Sequence, residues 1–302
     1  FNLCIISAIM ALGVNIQLGY AGIFNAGVMG FAALGGLAAV IISYPPVPET
    51  IELGGSGVFL SLVILLVGAA TVTFIYKSPL SSSIKKLTIP LTILMLLILF
   101  NLVGSPAIER IEAFEPAASG FLGGFGLPII LSWFVGGILA GIVAFLIGKL
   151  TLGLRSDYLA IATLGIAEVI IYFLKNEDWL TRGVKNVNGL PGAMLTTLEG
   201  QFTPTTYQPL RFTFTVWVMV IIGGTGNNYG SLIGGFLVWF LWVEAEPLGL
   251  YLVELFTSPL SDTNPLRIQL ITNAAHMRYI MMGLLLLLVL RFAPKGIFPE
   301  GR

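Results

Sequence analysis

Apolar residues form long, nearly uninterrupted runs along this chain, and charged residues are concentrated in the connections between the runs. A bilayer core of roughly 30 Å requires about 20 apolar residues in a helix. The candidate runs are 3–18, 26–43, 58–76, 87–103, 127–148, 158–174, 212–223, 229–246 and 277–292. Only Gly/Asn-rich sequence separates the short run 212–223 from 229–246, which predicts either a hairpin or one broken element. The pattern predicts an all-α, polytopic transmembrane helix bundle of about eight or nine spans with Gly-rich helix breaks.

Composition supports a membrane protein and excludes several soluble classes. The 302 residues are 56% hydrophobic and only 10% charged, against about 25% charged in an average soluble domain. Fifteen basic and fifteen acidic residues cancel. So apolar and so weakly charged a composition excludes a soluble enzyme, a disordered chain and a nucleic-acid binder that relies on a basic face. One cysteine (Cys4) and one histidine (His276) exclude a disulfide framework, a thiolate-ligated metal cluster and His-rich metal sites.

The charges of the connections predict an orientation. Loop 77–86 is purely basic, loop 149–157 and the tail from Arg291 are mainly basic, and loop 44–57 carries only acidic charges. The positive-inside rule therefore places 77–86, 149–157 and the C-terminus in the cytoplasm. No repeat, linker or soluble domain interrupts residues 1–302, which predicts a single transmembrane domain. The chain begins inside an apolar run without an initiator Met, so a truncated N-terminus is expected.

A cluster of small residues at 19–27 (GYAGIFNAG) lies between two apolar runs. Such clusters allow a helix break or close backbone approach within a membrane. One interpretation is a broken element that lines a pathway, with Asn15, Gln17 and Asn25 as its polar lining. The alternative is close helix packing and a tight turn.

A second glycine-rich stretch covers residues 223–235 (GGTGNNYGSLIGG). Gly226, Gly230 and Gly234 follow at four-residue spacing, which is typical of closely packed membrane helices. The spacing G-x-G-x-x-x-G and the lack of a βαβ context exclude a dinucleotide site. A turn followed by a tightly packed helix is expected here.

The third motif joins a charged turn to a helix that contains an acid. Arg155 and Asp157 precede the apolar run, and Glu168 lies ten residues beyond Tyr158, or roughly 15 Å along a helix. An intramembrane carboxylate is a candidate functional group. The alternative is a protonated or hydrogen-bonded structural residue between helices.

The remaining polar features have simpler interpretations. Glu244, Glu246 and His276 are expected at the membrane interface, and segment 247–276 is a cap, a docking loop or a surface connection. The sequence contains no phosphate-binding loop, zinc-protease motif or nucleophile elbow. Neither ATP hydrolysis by this chain nor another enzymatic activity is therefore expected.

Four stretches together resemble the LivM-type permeases of branched-chain amino acid ABC importers. Residues 11–22 (ALGVNIQLGYAG) resemble the family pattern A-L-G-L-N-L-x-x-G-Y-A-G, and residues 157–168 (DYLAIATLGIAE) resemble D-Y-L-A-I-x-T-L-G-F-G-E. Residues 222–230 (IGGTGNNYG) resemble G-G-x-G-S-x-x-G, and residues 291–297 (RFAPKGI) resemble R-P-x-G-L. The stretches follow the family's order over nearly the whole chain.

The resemblance implies a subunit of a multi-pass importer in the cytoplasmic (inner) membrane of a prokaryote. Its expected partners are a homologous second permease, two cytoplasmic ATPase subunits that bind ATP and Mg²⁺, an extracytoplasmic solute-binding protein and the lipid bilayer. No nucleic acid and no cofactor in this chain are expected. The substrate pathway is expected near Asn15, Gln17, Gly19, Gly22, Asn25, Glu168, Gly223, Gly224, Gly226 and Gly230. Contact with the ATPase is expected at Arg155, Asp157 and Tyr158.

Two departures from the family pattern affect this interpretation. After Gly22 the family usually has S-L-G-H, whereas this chain has N-A-G-V at 25–28. The family's cytoplasmic coupling segment has no counterpart, and a stretch that resembles the family's outer N-G-L-P is followed directly, near Pro191–Gly192, by one that resembles a later outer segment. We expect that two spans and their connecting loop are missing, and that this is a deleted, chimeric or mis-assembled permease with impaired transport.

Other functions stay open at this point. Related permeases carry other small polar substrates such as urea or amides. A decoupled chain would act only as a scaffold for its partner permease. A standalone ion-coupled carrier would use Glu168 to carry a proton.

Overall fold

The computed structural model describes residues 2–116, 119–190, 201–208, 212–258, 260–261 and 264–299. Within them the chain is almost entirely helical. The helices are α1 (Asn2–Asn15), α2 (Val28–Ser43), α3 (Pro48–Thr50), α4 (Ser56–Lys77), α5 (Ser82–Ala113), α6 (Ile129–Thr151), α7 (Ser156–Asn176), α8 (Asp178–Thr181), α9 (Phe214–Gly223), α10 (Asn228–Thr257), α11 (Pro265–Thr272) and α12 (Met277–Phe292). Two short strands, β1 (Val187–Asn188) and β2 (Gln201–Phe202), pair antiparallel. The predicted junction at Pro191–Gly192 lies outside the described residues.

Each of the nine apolar runs coincides with a helix, which confirms the all-α prediction. Six described helices are long and apolar enough to cross a membrane, or seven if α11 and α12, bent by 67°, form one span. The apolar helices α2 and α9 are shorter. The structure thus supports a multi-pass helical bundle, while the count of eight or nine spans stays a prediction.

Helix α10 extends past the predicted end of its run at residue 246. It continues through Pro247 to Thr257, so Glu244 and Glu246 lie inside the helix and not at its end. Proline removes one backbone donor but does not force a helix to end within a membrane bundle. Hydropathy therefore underestimated the length of this helix.

The chain divides into two compact units. The first unit consists of three segments, 1–32, 143–169 and 207–302. The second unit consists of two segments, 33–142 and 170–206. In the first unit, α1 packs against α9 and α10, and α10 packs against α9 and α12. Gly235 on α10 lies so close to α1 that an added Cβ would be 2.7 Å from the Ala8 Cα. Small residues therefore allow these helices to approach closely.

The second unit is centred on the pair α4 and α5. Val58, Ala107 and Ile111 form a buried apolar cluster between these helices. The segment that enters α4 is fixed by Thr50, whose hydroxyl donates to the Phe121 carbonyl at 2.9 Å. Outside the cluster many apolar side chains on both helices are exposed, for example Leu66 at 72% and Leu87 at 72%. A lipid environment accounts for this exposure, because water would penalise so large an apolar surface.

Candidate functional site at the break in helix α1

The break predicted at residues 19–27 is present and has a defined geometry. Helix α1 continues after Asn15 as one π-helical turn, Ile16–Tyr20, and the Ala21 N–H donates to the Ile16 carbonyl at 3.2 Å. At Gly22 the backbone turns with φ +64°, and helical structure resumes only at Val28. Single π-turns within helices occur frequently at functional sites.

Asn15 connects this break to the second glycine-rich stretch. Its side chain is fully buried. The Oδ1 atom accepts a hydrogen bond from the Gly226 N–H at 2.9 Å, and Nδ2 donates to the Asn228 Oδ1 at 3.0 Å. An added Cβ at Gly19 would collide with both the Asn15 amide and the Gly226 backbone. Glycine at 19 thus lets the two stretches meet, although they are more than 200 residues apart.

Gln17 and Asn25 lie on either side of the turn at Gly22, and their side chains bond each other across it. The Asn25 Nδ2 donates to the Gln17 Oε1 at 3.0 Å, and the Asn25 Oδ1 accepts from the Gly27 N–H at 2.8 Å. These bonds satisfy backbone and amide groups where regular helical bonding stops, as a membrane interior requires. The three predicted polar residues therefore all lie at the break, but Asn15 has different partners from the other two.

The third motif packs against the end of the same break. The Ala26 N–H donates to the Thr163 Oγ1 at 3.0 Å, and an added Cβ at Gly30 would lie 2.8 Å from the Ala167 Cα. Helix α7 therefore packs on small residues at the end of the break and at the start of α2. Thr163 is not among the predicted site residues, although this residue lies within the stretch 157–168 that resembles the permease family.

Gly223 and Gly230 bring α9 and α10 into direct backbone contact. An added Cβ at either one would collide with the other's carbonyl group, and one at Gly234 would collide with the Met219 carbonyl. The turn between the helices contains Gly224 (φ +117°) and Gly226 (φ +85°). The structure thus contains the expected turn and tightly packed helix, in a hairpin arrangement.

The C-terminal tail folds back onto this turn. The N–H groups of Ile297 and Phe298 donate to the carbonyls of Ile222 and Gly223 at 2.8 and 3.1 Å. Asn227 caps α10 by accepting from the Tyr229 and Gly230 N–H groups, and its Nδ2 donates to the Phe298 carbonyl at 3.0 Å. Sequence analysis missed this role of Asn227, although asparagine before a helix is a common capping signal.

The other predicted site residues do not join this cluster. Glu168 is exposed near the middle of α7, beside Ala167. Arg155, Asp157 and Tyr158 are also exposed, where α6 is connected to α7. Their proposed roles stay predictions. Among the described residues no group of three or more His, Cys, Asp or Glu side chains could hold a metal ion.

Comparisons with known proteins point to the same family as the motifs, and the family match includes the stretch 222–230. Residues 187–290 match the family described as branched-chain amino acid transport system / permease component. Over 65 residues the chain is 38% identical to the high-affinity branched-chain amino acid transport system permease protein LivM of Escherichia coli (strain K12). That stretch is 22% of this chain and spans 15% of LivM. No solved structure matches the chain significantly. The resemblance to a LivM-type permease is therefore confirmed, while the internal deletion stays a prediction.

Proposed function

We propose that this chain is the membrane-spanning permease subunit of an ABC importer for branched-chain or related amino acids. Separate cytoplasmic subunits hydrolyse ATP, a second homologous permease completes the pathway, and an extracytoplasmic binding protein delivers the substrate. The complex lies in the inner membrane with the C-terminus of this chain in the cytoplasm. Residues 187–290 and the short stretch similar to LivM support this assignment.

One structural observation supports it most strongly. The four family-like stretches are distant in sequence, yet all four contribute to the helix break and its surroundings within one compact unit. A broken membrane helix exposes polar backbone groups, and these are tolerated where protein or a water-filled path surrounds them. In many transporters such breaks lie next to the substrate. We therefore place the pathway beside Asn15, Gly19, Gly22 and Asn25.

The connection between α6 and α7 is our candidate for contact with the ATPase. Residues 152–158 are all exposed, and they combine a basic and an acidic group with apolar side chains. Leu152 is 61% exposed and Tyr158 is 62% exposed. With Lys149 included, the connection carries two basic groups and one acidic group, so the positive-inside rule favours the cytoplasm for it. It would substitute for the coupling segment that the sequence lacks.

Reconstitution in vesicles tests the proposal. The chain is combined with its second permease, the ATPase subunits and the binding protein, and uptake of labelled leucine is measured with and without ATP. ATP-dependent uptake supports the importer and contradicts the expected impairment. Uptake by the chain alone under a proton gradient indicates an ion-coupled carrier, and ATP-dependent uptake of urea but not leucine indicates another substrate. Assembly without transport indicates a scaffold.

A separate variant tests the coupling contact. Arg155 and Asp157 are replaced together by alanine, and ATP hydrolysis and leucine uptake are both measured on the assembled complex. Loss of uptake with hydrolysis retained is expected if this connection transmits movement. Lys77 and Lys85, in the other predicted cytoplasmic loop, provide the matched control pair. Equal uptake by the two variants would contradict the assignment.

A further inference from the structure

A cavity lies away from the helix break, among helices α9, α10 and α12. Its volume is about 390 Å³, and it is partly open at the surface. Its lining consists of Gln208, Phe214, Thr215, Trp242, Tyr279, Met282 and Gly283. All seven residues belong to one compact unit. The volume falls within the range of small-molecule sites, which is about 300–1,000 Å³.

The lining suits a small molecule with an aliphatic part. Phe214, Trp242 and Met282 give apolar walls, whereas the Gln208 amide and the Thr215 and Tyr279 hydroxyls are the polar groups. No lining residue is charged. Mostly apolar walls with a few polar groups are typical of a site that binds an apolar ligand in a fixed orientation.

A pair of opposite charges lies beside one wall of the cavity. Arg278 forms an ion pair with Glu246, and its guanidinium lies 6.0 Å from the centre of the Trp242 ring. Trp242 also packs edge-on against Tyr279, with ring centres 5.7 Å apart. Arg278 and Glu246 are paired with each other and do not line the cavity, but their charges beside the Trp242 ring are complementary to the carboxylate and ammonium of a zwitterion.

The position of the cavity in the chain indicates which side it faces. Phe214 begins α9, and Tyr279 and Met282 lie in the first turns of α12. If the C-terminus is cytoplasmic, as the proposed function has it, α12 starts at the outer side of the membrane. The cavity then lies where a substrate released by an outer binding protein would arrive.

We propose that this cavity binds one aliphatic amino acid as a zwitterion at the outer side, before the molecule reaches the helix break. This rests on the proposed function for its orientation and its ligand class. The aliphatic side chain contacts Phe214, Trp242 and Met282. The charged end faces the Arg278–Glu246 pair.

Gly283 offers a way to fill the cavity without disturbing its walls. An added Cβ there meets no atom within 4 Å, so Gly283→Leu places its side chain in open space. Gly141→Leu is the matched control, because Gly141 has the same open surroundings on α6. Binding of labelled leucine to the assembled complex is measured without ATP and without the binding protein. We expect Gly283→Leu to weaken binding about tenfold or more, and Gly141→Leu to leave it unchanged. Equal affinities would overturn the proposal.

A second measurement is independent of filling the cavity. In a Cys4→Ser background, Gly283→Cys is treated with a small thiol reagent, with Gly141→Cys as the control. Leucine is expected to slow modification at 283 by about threefold or more and to have no effect at 141. 4-Methylpentanoate and 3-methylbutylamine, which keep the leucine side chain but carry one charge each, should protect about tenfold less well than leucine. Protection by detergent or lipid but not by leucine would assign the cavity to an acyl chain and overturn the proposal.

The outcomes also separate this inference from the proposed function. If the complex imports leucine and Gly283→Leu does so with the same KM, the cavity proposal fails and the importer stands. If the complex imports no leucine but leucine protects position 283, the cavity proposal stands and the importer fails.

Discussion

Replacing Asn15 by alanine should destabilise the protein more than replacing Asn25, the other asparagine at the break. Asn15 is fully buried, and its side chain bonds the Gly226 N–H at 2.9 Å and the Asn228 side chain at 3.0 Å. In the variant the Gly226 N–H stays buried without an acceptor. Because water cannot reach it, the full cost of desolvating that donor appears in the free energy of unfolding.

The size of the effect follows from these two bonds. A buried donor left without a partner costs roughly 1–3 kcal/mol. The bond to Asn228 is worth less, because hydrogen bonds between membrane helices contribute about 0.6 kcal/mol on average and at most about 1.7 kcal/mol. We therefore expect a loss of about 2–4 kcal/mol. A double-mutant cycle with Asn228→Ala should show a coupling of about 0.5–1.5 kcal/mol.

Equilibrium unfolding in detergent micelles or bicelles measures these losses. Asn25→Ala is the matched control, because Asn25 is half-buried and its bonds are local; it should cost about 1 kcal/mol or less. The reasoning would be refuted if Asn15→Ala cost no more than the control, or if the cycle gave no coupling.

Three further changes test other parts of the structure. Gly234→Ala should destabilise the α9–α10 pair by about 1–3 kcal/mol, because the added Cβ would collide with the Met219 carbonyl. Thermal unfolding measures this loss. Gly165→Ala is the control, because the space around Gly165 is open, and a similar loss in that variant would contradict the prediction. Asn227→Ala should lower the free energy of unfolding by about 0.5–2 kcal/mol, because the cap of α10 is lost. It should also release the C-terminal tail from the turn, so limited proteolysis beyond residue 291 should become faster. An unchanged cleavage rate would argue against the tail contact. Glu168→Gln should reduce leucine uptake by the assembled complex if the carboxylate faces the pathway, and unchanged uptake would remove Glu168 from the mechanism.

The amino-acid sequence by itself determined the fold class and the positions of the membrane helices. All nine apolar runs are helical, because a chain with 56% hydrophobic residues satisfies its backbone most easily as helices in lipid. The glycine-rich stretches also marked the break after α1 and the turn before α10. Composition and local spacing are sufficient for these features, since each depends on residues that are close in the chain.

Only the tertiary structure decided which of these local features act together. Asn15 and Gly226 are distant in sequence, and their contact depends on α1 packing against α9 and α10. The ion pair between Glu246 and Arg278, and the cavity beside it, likewise require α10 to lie against α12. Periodicity cannot give such pairings, because it records which face of a helix is apolar and not which helix covers it. Close contacts between small residues decide that choice here, and these contacts exist only once the helices are packed.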